Sequence, residues 1–340
     1  MKRADIVVIG GSAAGLTAAI TAKRHYADKK VALIRKEKQV LIPCGIPYIF
    51  GTVGSPEKCL MPDEALSKND IELLIDEVTE LDRERGRVQT AKGETVAYDR
   101  LVLATGSLPS MPPIPGLQLG NVFPVFKDVA HLHGMQEALE GVSDLVIIGG
   151  GFIGVEFADE CKKGFKANVS IVEILPHCLM LAYDEEFCEH AERLLTERGI
   201  TPVTGTTVNR VTGRSNVEGV ELADGRALPA QAVIVSIGAT GNVTLAKDAG
   251  LSLGPTGGIV VDRTMRTPDA QIFACGDCAE KMSFFGGRPS ALKLASIATA
   301  EARIAGANLY GTRRENIGTV GVWSTVIGDT AFATAGLTEA

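Results

Sequence analysis

Positive charge is not in excess, long apolar runs are missing and aromatic side chains are few: 34 lysines and arginines face 41 acids, net −7, and 5% of the 340 residues are aromatic. An acidic chain has little with which to displace counterions from a phosphate backbone, so nucleic acid is not expected as a partner. No apolar run approaches the roughly 18 residues that a membrane span needs, so no membrane partner is expected either. The run after Met1-Lys2-Arg3 ends at Gly10-Gly11 and reads as a first strand, not as an export leader. Cysteine is sparse and odd in number: seven, widely spaced, at positions 44, 59, 161, 178, 188, 275 and 278. That is no disulfide framework, and without an export signal it points to the cytoplasm and reduced thiols. The histidines at 25, 131, 133, 177 and 190 form no cluster with the cysteines, and His131 and His133 would share a side only on a strand, so no metal site is expected.

What is present is repetition. Residues 5–20 read DIVVIGGSAAGLTAAI and residues 144–159 read DLVIIGGGFIGVEFAD, identical at seven of sixteen positions with a constant offset of 139. Each copy is an all-apolar run, a glycine turn and a helix-like segment, the pattern of a parallel strand buried on both faces and its crossover. A second pair, Leu101–Gly106 and Val233–Gly238, consists of buried-type strands ending in glycine. The segments Glu77–Tyr98 and Val203–Leu228 alternate in polarity, with turns at Gly86, Gly93, Gly213 and Gly225, and read as antiparallel ribbons. The fold class expected is α/β with two Rossmann-like domains, and the prolines at 109, 112, 113 and 115 mark the best linker.

In the second copy, Gly149-x-Gly151-x-x-Gly154, with Phe152 and Ile153 between the last two glycines, is a full dinucleotide fingerprint. Glu173 ends the next apolar run 24 residues after the first glycine. Glycines let a backbone approach a pyrophosphate at a helix N-terminus, and the carboxylate accepts adenosine ribose hydroxyls. That carboxylate would repel a 2′-phosphate, which favours NADH over NADPH. The first copy, Gly10-x-Ser12-Ala13-x-Gly15, places serine at the middle position. Its strand runs into Arg35-Lys36-Glu37, so either Glu37 reaches the ribose or Arg35 makes a different contact. Two such sites in one chain suit a flavin and a nicotinamide nucleotide that exchange a hydride.

Cys44 lies in Ile42-Pro43-Cys44-Gly45-Ile46-Pro47-Tyr48, where a helix beginning there would lower the thiol pKa. Cys275-Gly276-Asp277-Cys278 has the spacing of a redox dithiol, although its Gly-Asp tip equally suits a carboxylate offered to a ribitol hydroxyl.

On these residues the sequence resembles the FAD-dependent pyridine nucleotide-disulfide oxidoreductases of the single-cysteine group: coenzyme A disulfide reductases, persulfide or polysulfide reductases, and NADH oxidases and peroxidases. The resemblance runs from Asp5 to Ala340 and is carried by GGSAAG, CGIPYIFG, LVLATGSLP, GGGFIGVE, VSIGAT, GGIVVD and FACGDCAE. It implies an FAD domain over 1–113 and 241–320, with an NAD(H) domain inserted over 114–240. A C-terminal dimerisation domain would open at 321–340 and reads as truncated, so a homodimer is expected of the full-length form. By the same resemblance, Ala104, Thr105 and Gly106 lie near the flavin nucleotide, Asp277 on its ribitol, and Gly238 at the nicotinamide nucleotide. Cys44 is the redox cysteine, with Ile49 standing where two-cysteine relatives have a partner. Pro43 replaces a common asparagine, Thr240-Gly241 a common Arg-Pro, and Ala13 a histidine usual in the oxidases.

The function expected is NADH-dependent reduction of a low-molecular-weight disulfide, persulfide or polysulfide, with coenzyme A a candidate carrier if Lys23 or Arg24 meets its phosphates. The alternatives are an NADH oxidase or peroxidase cycling through a sulfenic acid, and an electron-transfer or redox-responsive flavoprotein in which Cys44 is inert.

Overall fold

The structure, a computed structural model, describes residues 2–338. The chain forms two units, the first from 2–42, 61–108 and 240–320, the second from 43–60, 109–239 and 321–338.

The first unit is built on a five-stranded parallel sheet in the order Ile272–Ala274, Arg100–Leu103, Ile6–Ile9, Val31–Arg35, Ile71–Ile75. Every residue of Ile6–Ile9 and Val31–Arg35 is buried, which is why these strands are apolar almost throughout instead of alternating. Helices Ala13–His25 and Ala295–Asn308 pack together through alanine and glycine. A Cβ on Gly306 would stand 2.6 Å from the Ala18 carbonyl oxygen, so only glycine allows this approach. The ribbon Val78–Asp82, Arg87–Thr90, Thr95–Ala97 is antiparallel, with Lys2–Arg3 added in parallel at its edge.

The second unit repeats the plan. Its parallel sheet runs Val122–Pro124, Ala232–Val235, Asp144–Ile148, Asn168–Val172, Ile200–Val203, with an antiparallel ribbon from Val208–Gly213, Val217–Leu222 and Ala227–Pro229. In each unit the strand that feeds the glycine turn is the central one, the place where α/β sheets bind nucleotides beyond their carboxyl ends. Among the described residues no helix is long and apolar enough to cross a membrane.

Two segments depart from the expected boundaries. Residues 43–60 pack with the second unit: the Phe50 and Phe157 rings lie 5.1 Å apart, and Glu160 accepts hydrogen bonds from Thr52 N at 2.6 Å and Thr52 Oγ1 at 3.0 Å. Residues 321–338 also join that unit, with a hairpin of Val322–Ile327 and Thr330–Ala335 whose Trp323 stacks on Phe152 at 6.2 Å. The helix expected at Cys44 is instead two short 3₁₀ turns, Pro43–Gly45 and Pro47–Phe50. Pro47 has no N–H to return to residue 43, so an α-helix cannot propagate through it. The α-helix dipole expected to act on the Cys44 thiol therefore does not form at this segment.

Candidate functional site

The two turns have matching geometry. Gly10 and Gly149 take φ of 109° and 105°, in the region open to glycine, and a Cβ on either would run into a carbonyl oxygen of the neighbouring strand's end, that of Ala104 or Ser236. A Cβ on Gly15 would overlap the Gly10 carbonyl and one on Gly154 the Gly149 carbonyl, so the helix starts directly against the turn. The middle position differs. A Cβ on Gly151 would meet no protein atom within 4 Å, so the packing of the protein itself does not require glycine there. Ser12 occupies the equivalent place with φ −83°, and its hydroxyl makes no capping bond to the helix. Both cradles therefore fit a pyrophosphate.

Strand register relates the residues at the end of the second strand in each unit. Ile9 pairs with Ile34 and Ile148 with Val172, so the next residues, Arg35 and Glu173, are equivalent. Glu173 is buried against Gly150, with Oε2 accepting from Gly150 N at 2.5 Å and Oε1 from Leu175 N at 2.8 Å. Arg35 is buried against Gly11 in the same manner, and it is no acceptor. Its guanidinium grips Asp63 with two bonds of 2.7 Å and also donates to the carbonyls of Glu37 at 2.9 Å and Lys38 at 3.0 Å.

The first unit gathers the remaining residues expected at its nucleotide beyond the carboxyl ends of the neighbouring strands Arg100–Leu103 and Ile272–Ala274. Ala104 is buried under Gly10, Thr105 Oγ1 donates to the Asn242 carbonyl at 2.5 Å, Gly106 accepts from Asn242 N at 2.9 Å, and Ser107 Oγ donates to Asp277 Oδ2 at 2.7 Å. Cys275 and Cys278 are fully buried, and burial pushes both thiols up, so the dithiol alternative gives way to the carboxylate one. Beneath this turn lies a pair that the motifs did not reveal. Glu301 Oε2 accepts from Gly276 N at 2.9 Å, Lys281 Nζ donates to the Gly276 carbonyl at 2.5 Å, and the two charges stand 3.3 Å apart.

In the second unit Gly151, Ile153 and Gly238 are exposed, while the Phe152 ring is half-buried on Trp323. Cys44 is exposed and each of the other six cysteines is buried. One of these, Cys59, donates to the Gly45 carbonyl at 3.6 Å, and burial raises its pKa. Four residues beyond Cys44, Tyr48 donates to Glu156 Oε1 at 3.5 Å, and Thr325 Oγ1 donates to the same oxygen at 3.2 Å. Burial pushes the Glu156 carboxyl up to about 7 from 4.5. Its folded form thus holds a proton more tightly than its unfolded form, giving stability that is present below pH 4.5 and is lost as pH rises through 7. The expected result is that Glu156→Gln gains on the wild type by up to about 3 kcal/mol between pH 5 and 8 in denaturant unfolding. Parallel pH profiles for the two proteins would contradict this.

Other candidates are occupied by ordinary contacts. Lys23 Nζ is bound to Asp70 at 3.0 Å and the Lys29 carbonyl at 3.1 Å, which weakens its candidacy for a coenzyme A phosphate. His131 and His133 lie on the helix Val129–Leu139, not on a strand, and turn to separate partners, the Pro124 carbonyl at 2.8 Å and Glu57 at 2.6 Å. His177, Glu185 and Glu189 have ligand-type atoms within 4.8 Å of one another, but His177 is already paired with Glu192 at 3.2 Å, and that hydrogen bond raises its pKa.

A family model described as pyridine nucleotide-disulphide oxidoreductase matches residues 4–302. The chain is 32% identical over 346 residues to an NAD(P)H coenzyme A polysulfide/persulfide reductase of Pyrococcus horikoshii, covering 100% of this chain and 77% of that protein. It is 30% identical over 344 residues to an NADH oxidase of Methanocaldococcus jannaschii, covering 98% and 76%. The structure of an NAD-dependent persulfide reductase from A. fulgidus superposes with a TM-score of 0.92 at 31% identity, over 98% of this chain and 64% of that one.

Proposed function

The chain belongs to the pyridine nucleotide-disulphide oxidoreductases, whose cofactors are FAD and NAD(P)H. From that premise we propose an NADH-dependent reductase of low-molecular-weight disulfides, persulfides or polysulfides, coenzyme A-linked ones included, that works through Cys44. The first unit takes FAD on Gly10, Ser12, Ala13, Gly15, Ala104–Gly106 and Asp277. The second takes the nicotinamide nucleotide on Gly149, Gly151–Gly154 and Gly238, with Glu173 at the ribose favouring NADH. The protein acts as a cytoplasmic homodimer.

The observation that carries the sulfur chemistry is exposure: Cys44 is the cysteine that a substrate in solution can meet, while the other six are buried. When bound, FAD supplies a two-electron path from NADH to sulfur. The Cys44 thiolate attacks a substrate sulfur, so that a bond from Sγ forms while the substrate S–S bond breaks and its electron pair leaves as thiolate or hydrosulfide. Two electrons originating from NADH then cleave the mixed disulfide, restoring the Cys44 thiolate and releasing the second product. The balance is one NADH, one disulfide and one proton to NAD⁺ and two thiols.

Ala13 separates this reading from the peroxidase alternative, to which the oxidase name of the Methanocaldococcus relative is related. A methyl group neither donates to a departing hydroxide nor stabilises a sulfenate, whereas a thiolate leaves without such help. NADH turnover with coenzyme A disulfide or persulfide is therefore expected to exceed turnover with hydrogen peroxide by about a hundredfold. Rapid peroxide reduction with no response to any sulfur substrate would transfer the assignment to the oxidase reading.

A further inference from the structure

We infer that the adenosine ribose of FAD is held by Asp63, oriented by Arg35, which stands at the strand end where the second unit has a carboxylate. The inference rests on the proposed assignment of FAD to the first unit. The register argument sets the problem: Arg35 stands where Glu173 stands in the second unit, and both side chains cross the second glycine of their turn, Gly11 or Gly150. A ribose diol donates two O–H groups and needs acceptors, and a guanidinium has none. Arg35 is also heavily committed, since four of its N–H groups go to Asp63, Glu37 and Lys38, and its side chain is 2% exposed.

Asp63 has what Arg35 lacks. Each carboxylate oxygen accepts one guanidinium N–H and keeps a lone pair, and the side chain is 47% exposed. The local backbone gives a second reason to read the carboxylate as placed for this purpose. Asp63 is the N-cap of the short helix Glu64–Ser67, yet its side chain makes no capping bond and turns to Arg35 instead. Glu37, the other candidate, meets Arg35 through its carbonyl oxygen. The bidentate fork fixes the plane of the Asp63 carboxylate, so Arg35 is a positioning residue and Asp63 the ribose acceptor.

The test measures FAD dissociation constants of the apoprotein by flavin fluorescence quenching, with FAD and with the FAD analogue whose adenosine is 2′,3′-dideoxy. The wild type is expected to bind the analogue about tenfold more weakly than FAD, and Asp63→Asn to bind FAD about tenfold more weakly while no longer distinguishing the two. Asp63→Glu is expected to recover part of the discrimination, and Arg35→Gln to lose it. If Asp63→Asn still prefers FAD as the wild type does, or if Glu37→Gln alone abolishes the preference, the assignment to Asp63 is overturned while FAD in the first unit stands. A wild-type chain that binds neither compound overturns the FAD assignment itself and this inference with it.

Discussion

Serine at position 44 is expected to reduce NADH turnover with a disulfide or persulfide by about a thousandfold or more, while reduction of ferricyanide by NADH stays within about twofold of the wild type. The two readouts diverge because ferricyanide draws electrons from the flavin without a sulfur, whereas a disulfide must first be opened by a thiolate. Cys44 sits in a three-residue turn and is exposed, and the retained ferricyanide activity distinguishes a loss of sulfur chemistry from a loss of folding. Serine variants of Cys275 and Cys278 provide the contrast. Both thiols are buried with raised pKa values, so those variants are expected to retain thiol turnover. Loss of sulfur turnover in these variants, with retention in Cys44→Ser, would reverse the assignment.

Removing the Lys281 ammonium is expected to lower the unfolding free energy by about 3–5 kcal/mol at pH 8, because it strands a buried carboxylate. Lys281 and Glu301 are 3% and 1% exposed, and together they bind the carbonyl and the N–H of Gly276. Glu301 is already raised to about 6 by burial, and its Oε1 makes no hydrogen bond among the described residues. Without Lys281 that carboxyl takes up a proton more readily, so the deficit of Lys281→Ala should shrink at pH 5. The double variant Lys281→Met with Glu301→Leu should recover part of the stability, since it removes the stranded carboxylate but leaves the Gly276 N–H without its acceptor. A single variant as stable as the wild type at pH 8 would show that the pair does not support the turn bearing Asp277.

The parts of this architecture that sequence reveals are those with a local signature. Buried parallel strands are apolar at nearly every position and the turns need glycine for steric reasons, so the echo between 5–20 and 144–159 exposes both cradles directly. Side-chain pairings between distant segments leave no such periodicity. Arg35 and Asp63 are 28 residues apart, Tyr48 and Glu156 are 108 apart, and each pair is created by packing. The same holds for 43–60, which read as part of the first unit until Phe50, Thr52 and the glycine at 164 are seen against the helix Phe152–Gly164. The arginine at 35 is visible in the sequence as an irregularity, but its partner emerges only in the structure.

The central claim is that substrate sulfur passes through Cys44 and is released at the expense of NADH, and peptide mass spectrometry addresses it directly. The FAD-loaded protein is mixed anaerobically with coenzyme A disulfide, divided, and one half is treated with NADH before digestion. The account predicts a coenzyme A adduct on the peptide containing Cys44 in the untreated half, and its disappearance with release of free coenzyme A in the other. An adduct on a different cysteine, or one on Cys44 that survives NADH, would contradict it.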